Sequence, residues 1–149
     1  LRVLQGGAGG EAEDALGWVA AWRAPRARLD EGRHLAAVGV RCAGDISDGL
    51  VVDAARTAAA SGCAAELWLD AIPVEPGVGA ELALAGGEDF ELLCAVTPAA
   101  LEGVLASWPG ELAPLRHLGR LVEGAGVLLL DTRGGSRLPL PPAASRHWG

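Results

Sequence analysis

Apolar positions along the chain change period several times, and each change marks a predicted element. In "EAEDALGWVAAWR", residues 11–23, Ala12, Leu16, Val19 and Ala20 recur at helical spacing. "APRARLDEGRHLAAVG" reads as a proline-marked connection, a short helix from about Glu31 and a stop at Gly39. The brief apolar run "VRCAGDI" predicts a strand. It leads into "AGDISDGLVVDAARTAAASG", in which Leu50, Val51, Ala54, Ala55 and Ala58 form the apolar face of a helix. Ser47 or Asp48 is the natural N-cap of that helix, and Gly62 suits its end.

Downstream, "CAAELWLDAIPV" alternates Glu66 and Trp68 with Leu67 and Leu69, the pattern of a half-buried strand that Pro73 ends. A short helix is expected around Ala80 to Ala85, then a double-glycine turn and a strand beginning at Phe90 in "GGEDFELLCAV". "TPAALEGVLASW" has Thr97 as cap, Pro98 at the first helical position, and Leu101, Val104 and Leu105 on one side. "LRHLGRLV" and "GVLLLDT" predict two late strands, and "GGSRLPLPPAASRHWG" an extended tail. Strands and helices alternate without a repeat, so the expected class is α+β (mixed α/β), a mixed sheet covered by helices.

The 149 residues suit one domain, which buries roughly two thirds of its unfolded surface. Five Trp and one Phe, with no Tyr or Met, leave the core aliphatic. Acidic residues outnumber basic ones 19 to 12, a net charge of -7, which excludes nucleic acid as an expected partner because no basic surplus exists to displace counterions. Cys42, Cys63 and Cys94 are odd in number, widely spaced and set among apolar neighbours, which predicts reduced core residues and a cytoplasmic setting. No apolar run approaches the ~18 residues of a membrane span, and the start lacks the basic region of a signal peptide. It also lacks an initiator methionine, so a segment of a longer protein is expected.

Candidate chemistry lies in two acidic turns. A strand-to-helix turn presents backbone N–H groups and the positive end of a helix dipole, a ready phosphate site. In "DISDG", Ser47 adds a hydroxyl, Asp45 and Asp48 add hard oxygen ligands for Mg2+, and Gly49 leaves room for a ligand. Helix capping is the competing explanation for Ser47 and Asp48, but not for Asp45, which precedes the cap. In "AGGEDFELL", Glu88 and Asp89 follow Gly86 and Gly87; they are either solvated turn carboxylates or, for Glu88, an acceptor for a cationic ligand. His34, His117 and His147, in a helix, a strand and the tail, lack metal-ligand spacing. "GGAGG" at residues 6–10 lacks the Lys of a phosphate loop, and Arg26 and Arg28 suit a solvated connection better than a phosphate contact.

"PRARLDEGRHL", "DISDGLVVDAARTAAASG", "IPV" and above all "LAGGEDFELL" resemble, in order and spacing, the C-terminal half of the thiamine-monophosphate kinase family, within the superfamily of aminoimidazole ribonucleotide synthetase and selenophosphate synthetase. The match covers about residues 20–130; residues 1–22 resemble the inter-domain connection, and 23–149 the C-terminal domain. The resemblance implies ATP-dependent phosphorylation of thiamine monophosphate to thiamine diphosphate, with Mg2+ bridging ATP to aspartates. It places Asp45 and Asp48 at metal positions, Ser47 at an ATP contact and Glu88 at a substrate contact. Phosphoryl transfer requires positioning and charge neutralisation rather than a covalent nucleophile, so the missing catalytic triad is no obstacle.

Two departures qualify that expectation. Ser145 replaces the aromatic of the family's closing motif, although His147 and Trp148 fit. The N-terminal domain of the family, with most of its aspartates and its dimer-forming strands, has no counterpart here, so the fragment is expected to be inactive alone and the intact protein a homodimer. The alternatives are another ATP-using superfamily member, of the synthetase or hydrogenase-maturation type, and a nucleotide-binding module without turnover.

Overall fold

The computed structural model describes residues 17, 19–21, 23–74 and 78–142. Residues 17, 19–21 and 23 are helical, as the spacing of Val19 and Ala20 predicts; "GGAGG", Ser145, His147 and Trp148 lie outside the described residues. The elements that follow are α1 (Leu29–Ala37), β1 (Cys42–Asp45), α2 (Leu50–Ala60), β2 (Ala64–Trp68), a 3-10 turn at Leu69–Ala71, α3 (Ala80–Ala85), β3 (Leu92–Ala95), α4 (Pro98–Ala106), β4 (Gly119–Val122), β5 (Val127–Leu130) and β6 (Arg137–Leu138).

These strands form two sheets. β1 and β3 make an antiparallel pair, with Cys42 opposite Ala95 at one end and Asp45 opposite Leu92 at the other. The second sheet is mixed, in the order β4-β2-β5-β6: β2 runs parallel to β5 and antiparallel to β4, and β6 runs antiparallel to β5. This is the mixed sheet with covering helices that the alternating pattern predicts.

α2 is the centre of packing. Its Leu50, Val51, Ala54 and Ala58 cluster with Ala65 and Leu67 of β2, Leu129 of β5, and Ile46, Ile72 and Leu84. Each larger member contributes about 1.5–3 kcal/mol by leaving water, and the alanines let the helix backbone approach the sheet. The core is aliphatic, as the shortage of Phe and Tyr requires. The three cysteines are unpaired but only half-buried, not core residues. Cys63 packs against the rim of the cluster, and burial, followed by the neighbouring Cys42, pushes the Cys94 thiol up.

β2 departs from its half-buried pattern: all five residues are buried. β4 and β5 pair with its two edges, α2 covers one face, and the Arg120, Arg133 and His117 side chains lie against the other. One face carries Ala65 and Leu67 into the core with α2; the other carries Glu66 and Trp68. Glu66 is tolerated there because every oxygen is used. Its Oε1 accepts from Trp68 Nε1 at 2.9 Å and from Arg120 Nε at 2.8 Å, and its Oε2 accepts from Arg120 Nη2 at 3.1 Å. Arg120 sits directly opposite in the ladder, Arg133 lies over the Trp68 ring at 5.2 Å, and His117 meets that ring edge-on at 4.8 Å. His117 precedes β4 rather than lying in it, and its Nε2 donates to the Gly119 carbonyl at 2.8 Å. His34 packs edge-on against Trp108 at 5.3 Å. Both histidines are packing residues.

Hydrogen bonds from Arg120, then from Trp68, hold the Glu66 carboxyl below its ordinary value. A depressed carboxylate pKa stabilises the fold above the unfolded value, and the gain is lost as pH falls through the folded one. Glu66→Gln should therefore cost about 1–2 kcal/mol in neutral-pH denaturant unfolding, because Arg120 loses its charged acceptor. The gap between parent and variant should close below the glutamate range, where protonated Glu66 resembles Gln; a pH-independent gap would mean that the charge is not what stabilises.

Candidate functional site

β1 ends at Asp45, and the chain turns through Ile46, Ser47, Asp48 and Gly49 into α2. Neither Ser47 nor Asp48 caps that helix. The N-cap position belongs to Gly49, whose φ of 113° suits glycine, and no side chain caps from it. A Cβ on Gly49 would also lie 3.1 Å from the Ala85 carbonyl carbon. The turn ahead of the helix is instead braced from inside it. Asp53, 7% exposed, folds back so that its Oδ2 accepts the N–H groups of Ser47 and Asp48, each at 2.9 Å, while its Oδ1 accepts from Arg56 Nη1 at 3.1 Å.

This revises the expectation of open N–H donors awaiting phosphate. Two N–H groups of the turn, those of Ser47 and Asp48 ahead of the N-cap, already hold a carboxylate near the positive end of the helix dipole. Sequence reasoning missed Asp53, although its signal was legible: it is an acidic residue between Val52 and Ala54, beside the buried face of a helix. A carboxylate in that position has to find donors.

The second acidic turn lies directly against the first. Ile46 N–H donates to the Glu91 carbonyl at 2.8 Å, Phe90 N–H to the Ile46 carbonyl at 2.9 Å, and Glu88 N–H to the Ser47 carbonyl at 2.8 Å. The double glycine makes this approach possible, because a Cβ on Gly87 would sit 2.6 Å from the Ser47 oxygen and one on Gly86 2.5 Å from the Leu82 oxygen. Glu88 and Phe90 have φ of 67° and 53°, a left-handed conformation that costs about 1–2 kcal/mol per residue and is held here by the bonds to the first turn. The strand proper begins at Leu92, two residues after the expected Phe90, because those left-handed residues interrupt extended backbone.

The structure thus brings Asp45, Ser47, Asp48 and Glu88 to one edge, with Asp89 between Glu88 and Phe90. Desolvation, then the charge of Glu91, pushes the Asp89 carboxyl up. Asp45 and Asp48 are exposed, and Asp48 Oδ2 is paired with Arg56. Arg28, weighed as a phosphate contact, is instead committed to protein: it grips Glu91 through Nε at 2.8 Å and Nη2 at 2.5 Å and approaches Glu31, fixing the start of α1 to the entry of β3. A wider concavity of about 250 Å3, lined by Val40, Cys42, Ala95, Thr97 and Val104 among others, lies at the opposite end of the β1–β3 pair and shares none of these groups.

Among the described residues no three His, Cys, Asp or Glu side chains converge as a metal cage. Asp45 and Asp48 nevertheless fit Mg2+ of the kind held by one or two carboxylates, with phosphates and water completing the shell.

The family model for the AIR synthase related protein, C-terminal domain, matches residues 6–130. The chain belongs to this family. Its curated relatives include the thiamine-monophosphate kinase of Caulobacter vibrioides, 33% identical over 79% of this chain and 37% of the relative, and that of Methanopyrus kandleri, 36% identical over 71% of this chain and 35% of the relative. A solved structure, AaThiL complexed with AMPPCP and TMP, superposes with a TM-score of 0.71 at 27% identity, covering 93% of this chain and 44% of that one. The resemblance to the C-terminal half of thiamine-monophosphate kinases is thereby borne out in sequence and in fold, and the chain spans well under half the length of the relatives it matches.

Two substitutions test the locking of the turns. Gly87→Ala should destabilise the chain by about 1–3 kcal/mol and speed amide exchange at Glu88, because the new methyl group meets a carbonyl rather than a flexible side chain. Asp53→Ala should cost about 2–3 kcal/mol by leaving two N–H groups without their charged acceptor. Unchanged stability in either variant would remove that contact from the account.

Proposed function

We propose that this chain forms the C-terminal domain of a thiamine-monophosphate kinase, contributing part of an ATP and Mg2+ site for phosphorylation of thiamine monophosphate to thiamine diphosphate. The observation that carries the reading is the single edge formed by "DISDG" and "GGED", which sets two Mg2+-compatible carboxylates and a serine hydroxyl beside Glu88. The relatives that share this domain are thiamine-monophosphate kinases, and AaThiL is known in complex with AMPPCP and TMP.

In this reading Asp45 and Asp48 hold Mg2+, which neutralises phosphate charge when bound. Ser47 offers its hydroxyl to the nucleotide, and Glu88, fixed by its N–H to the Ser47 carbonyl, accepts from the thiamine-bearing substrate. The protein's part is positioning, which phosphoryl transfer requires above all. Residues 1–22 serve as the connection between domains and 23–149 as the C-terminal domain. The remaining aspartates and the homodimer contacts come from the family's N-terminal domain, so the isolated chain binds without turning over. A cytoplasmic setting follows from the same reading; among the described residues no helix is long and apolar enough to cross a membrane.

Calorimetric titration with a non-hydrolysable ATP analogue should give Mg2+-dependent binding that Asp48→Asn weakens by about tenfold or more. In a protein that also carries the N-terminal domain, Glu88→Gln should raise the KM for thiamine monophosphate by about tenfold with less effect on that for ATP. Metal-independent binding, or an unchanged KM, would sink the corresponding assignment.

A further inference from the structure

Arg56 stands at the centre of the proposed metal edge and is not assigned there by the sequence. It lies two turns into α2 and bridges two carboxylates of unequal character. Asp53 is an anchor: its side chain is 9% exposed and already fixed by two backbone N–H groups. Asp48 is the opposite, with a side chain 44% exposed and Arg56 as its described partner, itself 56% exposed. Exposed ion pairs contribute little and are screened by salt, whereas a carboxylate that binds backbone N–H groups beside a helix N-terminus stays in place. One half of the bridge can therefore open while the other holds.

Arg56 engages Asp48 through Oδ2; a doubly charged ion on the same carboxylate competes with the guanidinium for its charge and weakens that exposed pair. Asp53 Oδ1, fixed in place and 3.1 Å from Arg56 Nη1, remains as a second acceptor that keeps the guanidinium near. A planar, permanently charged donor group would then stand beside any phosphate that a metal at Asp48 held, and a guanidinium suits phosphate pairing. Mg2+ alone would stand near a second cation, and a polyphosphate would relieve that repulsion. Metal and nucleotide would then favour one another by the same factor in either order of addition.

We propose that Arg56 occupies Asp48 in place of the metal and, when Mg2+ takes Asp48, transfers to the nucleotide phosphates while anchored on Asp53, coupling metal binding to nucleotide binding. This rests on the assignment of Asp48 as a metal ligand. The hydrogen bond that Arg56 donates to Asp48, opposed by some desolvation and assisted by the charges of Asp48 and Asp53, raises the Arg56 pKa, so the group stays cationic.

The test is calorimetric titration of this chain and its variants, first with Mg2+ alone and then with a non-hydrolysable ATP analogue at saturating Mg2+. Arg56→Gln should tighten Mg2+ alone by about two- to fivefold, since a competitor is removed. It should weaken the analogue by about tenfold, with a shallower salt dependence. Arg56→Lys, which keeps the charge but not the planar guanidinium, should recover only part of the analogue affinity. Failure of Arg56→Gln to strengthen Mg2+ alone, or to weaken the analogue, overturns the exchange. The Asp48→Asn variant separates the two ideas. If it loses Mg2+ while Arg56→Gln changes nothing, only the role of Arg56 falls; if it binds Mg2+ like the parent, or if the parent binds none, the assignment of Asp48 falls and the exchange falls with it.

Discussion

The contact on which the site depends is between two stretches of backbone. The carbonyls of Ile46 and Ser47 and the N–H of Ile46 are bonded to the segment from Glu88 to Glu91, at a separation that only Gly87 allows. A hydrogen bond between main-chain groups is insensitive to side-chain identity, but the approach that permits it is not, because a single methyl group at position 87 would meet the Ser47 oxygen. The double glycine is thus a steric requirement for bringing Glu88 beside "DISDG". The left-handed Glu88 and Phe90 are the conformational cost of that fit, offset by the bonds it makes.

Three carboxylates in this domain show how burial sorts charge into different roles. Glu66 is enclosed and saturated by Arg120 and Trp68, so it fixes the register of β2 against β4. Asp53 is enclosed and saturated by backbone donors, so it fixes the turn. Asp48 is exposed and shares a cation with Asp53, so it remains exchangeable. The difference is one of desolvation: a buried carboxylate that lost its partners would pay the full solvation penalty, whereas an exposed one recovers water. A ligand edge needs the second kind supported by the first.

The family match and the length of the relatives bear on the same edge. In the proposed site Asp45 and Asp48 would be a partial donor set, since among the described residues no third such group converges on them. That is what a domain supplies when phosphates and a second domain provide the remainder, and the chain aligns with 37% of the Caulobacter vibrioides kinase. Affinity measured on this chain alone therefore reports the contribution of one half of the proposed site.

Most of the elements were legible from local pattern. The apolar period of α2, the Gly39 and Gly62 stops, α3 at Ala80–Ala85 and Pro98 at the first turn of α4 depend on neighbours within a few residues, and the structure keeps them. The motifs "DISDG" and "GGEDFELL" likewise carried the family in their residue types. Tertiary structure decided what spacing cannot encode. β2 became buried on both faces because α2 packs on one and the distant Arg120, Arg133 and His117 side chains lie against the other. Ser47 does not cap α2; its N–H and that of Asp48 turn to the buried Asp53 carboxylate instead. Arg28 went to Glu91 rather than to solvent because folding brought charges 63 residues apart into reach. Local sequence sets backbone propensity and hydrophobic period, but the partner of a charge is chosen by which distant groups share its low-dielectric surroundings, and only the folded chain defines those.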